Sequence, residues 1–305
     1  MPDPASTDPA GTDPAGTDPA AALLELDQVS KRFGKVVVAD GLSLSVGAGD
    51  MVGIVGPNGA GKTSLFGLIT GDLEPGSGEI RFGGAAVTRL DAAARCRLGI
   101  GRTYQVPRPF GGMTVFENTL VAAQQGGQIR GRESHAHAAA VLEQAGMAGQ
   151  ANVAAGRLGL LQRKRLELAR ALATRPRLLL LDEVAGGLTD PEVTELVEVV
   201  RAIRAEGIAV VWIEHVVRAL TSAVERLICL AAGKFVGDGR PADVLANPAV
   251  REVFLGSEVT TSLTVDPALL ADGLPADGPP AAGGLPAAGS PPPAGPGDGS
   301  DAGQR

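Results

Sequence analysis

The order of apolar and polar side chains along the chain predicts a succession of strands and helices. Leu23–Val29 and Ser43–Val46 alternate apolar and polar residues, which is typical of edge or half-buried strands. Leu178–Leu181 and Ala209–Ile213 are continuous apolar runs between polar residues, and such runs are typical of central parallel strands covered on both faces. Met51–Val55 is another short apolar run, and a glycine-rich segment follows it directly.

Helical patterns lie between these strands and after them. Pro191–Glu206 repeats apolar residues at helical spacing and begins with a proline, a residue that suits the first helical position. The stretch Val106–Gly156 is rich in Ala and Gln and has no strand-like run, so it predicts two or three inserted helices. Phe235–Gly239 predicts a closing hairpin, and Asp243–Phe254 predicts two short terminal helices. Alternating strands and helices indicate an α/β fold with a mostly parallel sheet.

The two ends of the chain differ in composition from the middle. Residues 1–22 contain a repeated Thr-Asp-Pro-Ala-Gly unit, and residues 257–305 are mostly Pro, Ala, Gly and Asp. Neither stretch has enough large apolar side chains to offset the entropy of ordering its backbone. We therefore predict two disordered tails without a function of their own, and a folded domain over residues 23–256.

The negative charge of the chain belongs to these tails. The formal net charge is −7 at pH 7. The four aspartates of residues 1–20 contribute −4, and the five aspartates and one arginine of residues 266–305 contribute another −4. About +1 remains on the middle of the chain, which therefore has no strong field to attract nucleic acid. No nucleic-acid partner is predicted.

Cysteine usage and hydropathy bear on where the protein works. Cys96 and Cys229 are far apart and show no metal-type spacing, which fits a reducing compartment better than a disulfide framework. The acidic, proline-rich start of the chain does not have the pattern of a secretory signal. The longest apolar runs are far too short to cross a bilayer. The sequence thus predicts a soluble protein that reaches a membrane only through partners.

The glycine-rich segment after Met51–Val55 has the form of a phosphate-binding loop, because it fits the pattern G-x-x-x-x-G-K-[ST] at every fixed position. The residues predicted to bind nucleotide are Gly56, Pro57, Asn58, Gly59, Ala60, Gly61, Lys62, Thr63 and Ser64. The glycines let several backbone N–H groups point at one phosphate beside a helix N-terminus. Lys62 would then reach the β- and γ-phosphates, and the Thr63 hydroxyl would bind Mg²⁺. The alternative is a plain glycine-rich turn.

A pair of carboxylates follows the apolar run Leu178–Leu181. Asp182 comes directly after this predicted strand, where it can hold Mg²⁺ directly or through water. Glu183 lies at the same carboxyl end, where ligands bind in open α/β sheets, and could polarise an attacking water as a general base. The alternative is a pair that caps a helix.

With these two motifs the sequence resembles the ATPase subunits of ABC transporters, and three further residues fall in that family's chain order. Phe33 matches the aromatic that stacks on adenine, Gln105 matches the loop glutamine that senses Mg²⁺, and His215 matches the switch histidine at the γ-phosphate. Without the resemblance, Phe33 would be interpreted as a core residue and His215 as structural. The resemblance implies a P-loop NTPase of α/β class that uses ATP and Mg²⁺. Its mostly parallel core sheet would carry an N-terminal antiparallel β part and a helical subdomain inserted at about residues 106–162.

Within this family the sequence is most similar to the branched-chain amino acid type. The segments that carry this similarity are 102–107 (RTYQVP), 112–118 (GMTVFEN), 213–215 (IEH), 239–245 (GRPADVL) and 253–256 (VFLG). The subtype implies an ATP-hydrolysing subunit at the cytoplasmic face of the membrane. It would power import of a small polar solute through separate permease subunits, with an extracytoplasmic binding protein that delivers the solute.

Apolar side chains shortly after Gln105 are candidates for contact with a permease. The residues predicted to line a groove for a short permease helix are Phe110, Met113, Val115 and Phe116. Arg108 and Arg130 would then lie at the rim of this groove. The alternative is that these apolar residues form the ordinary core of the helical subdomain.

Two family motifs are altered in this chain. The LSGGQ signature, expected before a helix over Arg163–Ala173, aligns with Leu158, Gly159, Leu160, Leu161 and Gln162. This segment lacks the serine hydroxyl, and Leu161 replaces a glycine that permits close approach to a γ-phosphate. In the D-loop, Asp190 comes one position later than the family's aspartate. Because two such subunits pair head to tail, the altered signature predicts a heterodimer with a second ATPase subunit.

Two other functions remain as alternatives. One is a soluble ABC ATPase that acts on ribosomes or nucleic acid, although such proteins usually carry two ATPase cassettes or a coiled-coil arm and need a basic surface. The other is a degenerate regulatory subunit that binds ATP without hydrolysing it. Lys62, Asp182, Glu183 and His215 argue against this for the chain's own site.

Overall fold

A computed structural model describes residues 22–255 of the chain. The two predicted tails lie outside the described residues, except that Ala22 is already part of the first strand. Within the described range the strands are β1 Ala22–Phe33, β2 Val36–Gly47, β3 Met51–Val55, β4 Ser77–Phe82, β5 Ala85–Ala86, β6 Ile100–Arg102, β7 Leu178–Asp182, β8 Ala209–Ile213, β9 Arg226–Ala231 and β10 Lys234–Gly239. The α-helices are α1 Lys62–Thr70, α2 Ala92–Leu98, α3 Val115–Gln125, α4 Gly131–Gln144, α5 Leu160–Ala173, α6 Asp190–Ala205, α7 Val217–Thr221, α8 Pro241–Ala246 and α9 Pro248–Leu255.

Two sheets build the molecule. The core sheet has the strand order β10-β9-β3-β8-β7-β6, and its neighbours pair in parallel except for the β9–β10 hairpin. The second sheet is antiparallel and has the order β2-β1-β4-β5. The three apolar runs of the sequence are β3, β8 and β7, which are adjacent in the middle of the core sheet. The predicted α/β fold with an N-terminal antiparallel part is therefore confirmed.

The apolar runs are continuous because the core sheet is covered on both faces. Successive side chains of a strand point to opposite faces, so the run in β7 contributes to two clusters. Leu179 and Leu181 pack with helices α3 to α6, whereas Leu178 and Leu180 pack with α1 and the antiparallel sheet. Every residue of β3, β7 and β8 is buried.

The inserted segment is helical, as expected. It contains α3 and α4, followed by two short 3₁₀ turns at Ala148–Gln150 and Ala155–Arg157. Helix α3 begins with a capping box in which Thr114 and Glu117 bond reciprocally. One prediction was wrong by three residues, because α5 starts at Leu160 and not at Arg163. The second half of the signature segment therefore forms the first helical turn.

The predicted helix near Pro191 is α6, and it starts at Asp190 after a capping box formed by Thr189 and Glu192. The two predicted terminal helices are α8 and α9. Among residues 22–255, no helix combines the length and the apolar character that a bilayer span requires.

Candidate nucleotide-binding and hydrolysis site

The phosphate loop connects the end of β3 to the start of α1, and its glycines are required by the backbone around it. At Gly61, where φ is +106°, an added Cβ would lie 2.2 Å from the Val38 carbonyl oxygen of β2. At Gly56 it would lie 2.0 Å from the Leu230 carbonyl oxygen of β9. No side chain fits at either position, so the loop is fixed against both sheets. Cys229, next to Leu230, is a free and fully buried thiol below this loop.

Lys62 is directed back into the phosphate loop. Its Nζ donates to the carbonyl oxygens of Gly56 at 2.7 Å and Pro57 at 3.0 Å, and the residue is 7% exposed. Burial lowers the pKa of Lys62, and the nearby charges of Glu183 and Asp182 oppose that shift. The ammonium therefore lies between the loop and the acidic pair, where one cation can contact phosphate oxygens. Thr63, one residue later, is exposed at the start of α1.

Asp182 ends β7 and is 2% exposed. Its Oδ2 accepts a hydrogen bond from the Arg102 guanidinium at 2.8 Å. The Thr103 hydroxyl accepts the backbone N–H of Asp182 at 3.1 Å. Both partners come from the end of β6 and the residue after it, so the neighbouring strand fixes this carboxylate in place.

Glu183 turns out of the sheet directly after Asp182. Its φ of +49° is in the left-handed region, and its N–H donates to the Ile213 carbonyl at 2.9 Å. The Glu183 Oε2 accepts a hydrogen bond from Gln105 Nε2 at 2.5 Å and lies 3.8 Å from His215 Nδ1. The side chains of Glu183 and His215 are 16% and 49% exposed, so both can reach a ligand at this edge. The structure thus brings together three residues that are far apart in the sequence.

Comparison with known proteins agrees with this geometry. The profile of the ABC transporter family matches residues 39–186. The chain is 35% identical over 249 residues to the high-affinity branched-chain amino acid transport ATP-binding protein BraF of Pseudomonas aeruginosa, an alignment that covers 77% of this chain and 98% of BraF. This chain belongs to the ABC transporter ATP-binding family.

Other members of the family are similar over the same extent. Identity is 33% to LivG of Salmonella typhimurium, a branched-chain amino acid transport ATP-binding protein, and 33% to the lipopolysaccharide export ATP-binding protein LptB of Acidithiobacillus ferridurans. Each alignment covers 77% of this chain and 98% of the relative. A solved nucleotide-free ATP-binding cassette from an ABC transporter superposes with a TM-score of 0.72 at 30% identity, covering 76% of this chain and 98% of the cassette. An ABC cassette in its ADP conformation gives the same TM-score at 29% identity, with 77% and 99% coverage.

The aromatic residue that the ABC resemblance assigns to adenine lies at the end of β1. Phe33 is 49% exposed, so the alternative of a core phenylalanine is wrong. Lys31 Nζ lies 5.3 Å from its ring centroid, and Phe33 pairs with Val36 across the β1–β2 turn. Because Val38 of β2 contacts the phosphate loop at Gly61, this hairpin passes beside the loop. Adenine stacking by Phe33 stays a prediction.

The signature segment lies at the start of α5, where Leu160 Cδ2 is 3.2 Å from the position that a Cβ on Gly187 would take. Leu158 is 6% exposed and Leu160 is 47% exposed, so the first anchors the segment and the second faces outward. Gly159 is the N-cap of α5, and no side chain caps the helix there. The Gln162 side chain folds back, with its Oε1 2.7 Å from where a Cβ on Gly159 would be. A serine at position 159 therefore requires Gln162 to move.

Sequence reasoning missed Lys164, which supports the acidic pair Asp182 and Glu183, and it named Arg102 and Glu214 only as parts of family motifs. Lys164 of α5 is 5% exposed and donates to the Glu183 carbonyl at 3.0 Å. Glu214 is 0% exposed, and its Oε1 accepts the N–H of Ala185 at 2.6 Å. Arg102 donates to Asp182, a contact that its place in the segment 102–107 did not reveal.

Proposed function

We propose that this ABC ATPase hydrolyses ATP at the cytoplasmic face of a membrane to power import of branched-chain amino acids through separate permease subunits. The observation that carries the hydrolytic part is the convergence of Gln105 and His215 on Glu183, directly after Asp182 and beside Lys62. The similarity to BraF and LivG supports the choice of solute.

The donor atoms at the site fit a magnesium nucleotide. Thr63, Asp182 and Gln105 offer hydroxyl, carboxylate and amide oxygens, the hard donors that Mg²⁺ prefers. Within residues 22–255 no cluster of three or more His, Cys, Asp or Glu side chains could hold a metal. This agrees with Mg²⁺ held by one carboxylate together with substrate phosphates. Bound Mg²⁺ would neutralise charge on the phosphate oxygens.

The side chains then have separable roles in hydrolysis. Lys62 exchanges its two carbonyl partners for phosphate oxygens. Glu183 accepts a proton from the attacking water as the general base, while Gln105 donates to its Oε2 and His215 Nδ1 lies 3.8 Å from the same oxygen. Lys164 fixes the Glu183 backbone by its bond to the carbonyl oxygen.

Permease docking is supported at Phe110 and Met113, which are 47% and 39% exposed. Val115 is not part of such a groove, because it is 0% exposed and belongs to the core of the helical part. Phe116 is partly buried and packs against the same core. The surface that remains is the segment before α3. There the Arg170 guanidinium lies 5.2 Å from the Phe110 ring centroid and holds it at the surface.

The two arginines proposed as rim residues of this docking face are both exposed, Arg108 in the segment before α3 and Arg130 directly before α4. Arg108 is exposed, its N–H donates to Glu167 Oε1 at 2.8 Å, and its carbonyl accepts from Arg170 at 3.0 Å. Arg130 is exposed at the N-terminus of α4. Both guanidinium groups are thus candidates to contact a permease.

A heterodimer with a second ATPase subunit is supported by the leucines of the signature segment. In a head-to-tail pair, Gly159 and Leu161 face the ATP bound by the partner. A missing preorganised donor costs about 10²–10³ in rate. The purified chain, paired with itself, should be a poor ATPase, and Gly159→Ser combined with Leu161→Gly should raise that activity. Vigorous cooperative hydrolysis by the unaltered chain would overturn the heterodimer.

Reconstitution tests the function as a whole. The chain is purified together with its membrane partners, placed in proteoliposomes, and assayed for ATP-dependent uptake of leucine, isoleucine and valine, with lysine as a charged comparison. Glu183→Gln serves as the hydrolysis-deficient control. We expect uptake of the three apolar amino acids by the complex with the unaltered chain, and no uptake by the complex with Glu183→Gln. Co-purification with ribosomes, or hydrolysis coupled to outward movement of a lipid, would contradict the proposal.

A further inference from the structure

The carboxylate assigned to the metal is already paired with a buried arginine. Arg102 and Asp182 have side chains that are 8% and 3% exposed, and their closest atoms are 2.8 Å apart. A second nitrogen of the same guanidinium lies 3.2 Å from Oδ2 of Asp72, whose side chain is 40% exposed. Arg102 therefore bridges a buried acid and a half-exposed one.

The guanidinium also lies close to two aromatic rings. Its central carbon lies 5.6 Å from the Phe66 ring centroid and 5.2 Å from that of Tyr104. Rings at this distance stabilise a cation without fixing its hydrogen bonds. The Arg102 Nε has no hydrogen-bond partner among the described residues. The Arg102 side chain can thus release Asp182 while its contacts with Asp72 and both rings remain.

Charge balance requires a cation at Asp182 in every state. A buried carboxylate without a partner is strongly unfavourable. Lys62 is nearby, but its Nζ is bonded to the carbonyl oxygens of Gly56 and Pro57. Arg102 is thus the cation that contacts Asp182, and a divalent metal at the same carboxylate would repel it.

We propose that Arg102 is an internal counter-ion. It neutralises Asp182 when no metal is bound, and it keeps only its ion pair with Asp72 when Asp182 binds a metal. This inference rests on the proposed function, because it takes Asp182 to be the carboxylate of the magnesium site. It also assigns a role to Asp72, which no family motif includes. Binding of the metal nucleotide then changes the contacts of Arg102 at the end of β6, three residues before Gln105.

The test compares binding of the non-hydrolysable analogue AMP-PNP in Mg²⁺ and in EDTA, by calorimetry on the full chain. The measured quantity is the ratio of the dissociation constant in EDTA to that in Mg²⁺. Arg102→Met keeps the apolar stem but removes the competing cation, so the ratio should rise about tenfold or more. Arg102→Lys keeps the charge and should stay near the unaltered ratio.

Asp72→Asn gives a prediction of opposite sign. It removes the group that retains Arg102 after release, so the ratio should fall. Since Asp72 is half-exposed, this variant is expected to fold even if Arg102→Met does not. Arg226→Met is the control, because it breaks a more exposed ion pair with Asp238, at 2.6 Å, and the side-chain hydrogen bonds of Arg226 go to Asp238 and Ser45, neither of them assigned to nucleotide. Its ratio should not change.

The outcomes separate this inference from the proposed function. If the unaltered chain binds AMP-PNP equally well in Mg²⁺ and EDTA, the magnesium site itself is wrong. If the unaltered chain prefers Mg²⁺ but neither Arg102→Met nor Asp72→Asn changes the ratio in the stated direction, only the counter-ion role is overturned.

Discussion

Replacing Glu214 with glutamine would show how much a buried carboxylate beside His215 changes the free energy of unfolding. Oε1 of Glu214 accepts hydrogen bonds from the Ala185 N–H at 2.6 Å and the Trp212 indole at 3.3 Å. Its Oε2 has no hydrogen-bond partner within the described part of the chain, although it lies 3.9 Å from His215 Nδ1. Glutamine has the same shape, and its amide oxygen can accept both bonds of Oε1 without the buried charge.

The sign of the effect follows from the pKa of Glu214. Burial raises it, and the Ala185 N–H, His215, Trp212 and Lys164 oppose that shift to a smaller extent. A carboxyl whose pKa is higher in the folded chain stabilises the fold below its unfolded pKa, and this contribution is lost as pH rises through the folded pKa. The amide N–H groups of glutamine take the unpaired place of Oε2, so the substitution removes only the cost of the buried charge. Glu214→Gln should therefore raise the free energy of unfolding by about 1 kcal/mol near pH 8 and by less near pH 5.

Urea unfolding between pH 5 and pH 8, followed by circular dichroism, measures this difference. Trp212 is the only tryptophan of the chain, so its fluorescence gives a second signal from the same region. Glu192→Gln is the control with opposite sign, because hydrogen bonds from Thr189 lower the pKa of Glu192. Its stabilising contribution is present throughout pH 5 to pH 8 and is lost only as pH falls below the ordinary pKa of 4.5, so Glu192→Gln should lower the free energy of unfolding equally at both ends of this range. A Glu214→Gln variant that is less stable than the unaltered chain at pH 8 would refute the reasoning, and would mean that Lys164 and His215 more than compensate the burial.

Three further outcomes are expected at the nucleotide site and the docking face. Lys62→Ala should weaken ATP binding clearly in a calorimetric titration, because it deletes the cation inside the phosphate loop; unchanged affinity would contradict that position. Glu183→Gln should keep ATP binding and trap the closed dimer, while hydrolysis in the reconstituted complex falls about 10²–10⁴-fold; near-normal hydrolysis would mean that another group activates the water. Phe110→Ser combined with Met113→Ser should abolish transport but leave the unfolding midpoint nearly unchanged, since both side chains are exposed; a large loss of stability would show instead that they belong to the subdomain core.

The sequence predicted the centre of the molecule best because burial there is complete. β3 and β8 coincide with their apolar runs, and β7 extends its run by one residue, because strands covered on both faces need apolar side chains at every position. β6 was missed because it has only three residues, one of them glycine. The pattern also failed at Val115, since an apolar residue near a helix start does not reveal whether it faces a partner or the core.

Only those parts of the site that belong to short continuous motifs could be predicted from the sequence. The phosphate loop and the acidic pair are short continuous segments, so their residue types could be read directly. Arg102 and Lys164 act on Asp182 and Glu183 from other elements, at separations of 80 and 19 residues. No periodicity links such positions, because the contact is created by the order β8-β7-β6 and by the packing of α5.

The buried thiol below the phosphate loop makes this protein suited to chemical labelling. Burial raises the pKa of Cys229 to about 11, from an ordinary value of 9.0, so its reactive thiolate is about a hundredfold scarcer at neutral pH. Cys96 is the other cysteine and is partly exposed at α2. With Cys96 replaced by serine, the rate at which a maleimide reagent modifies Cys229 would report how often the core sheet opens beneath the nucleotide. Cys229 is thus a built-in probe of local unfolding at the point where β9 contacts the phosphate loop.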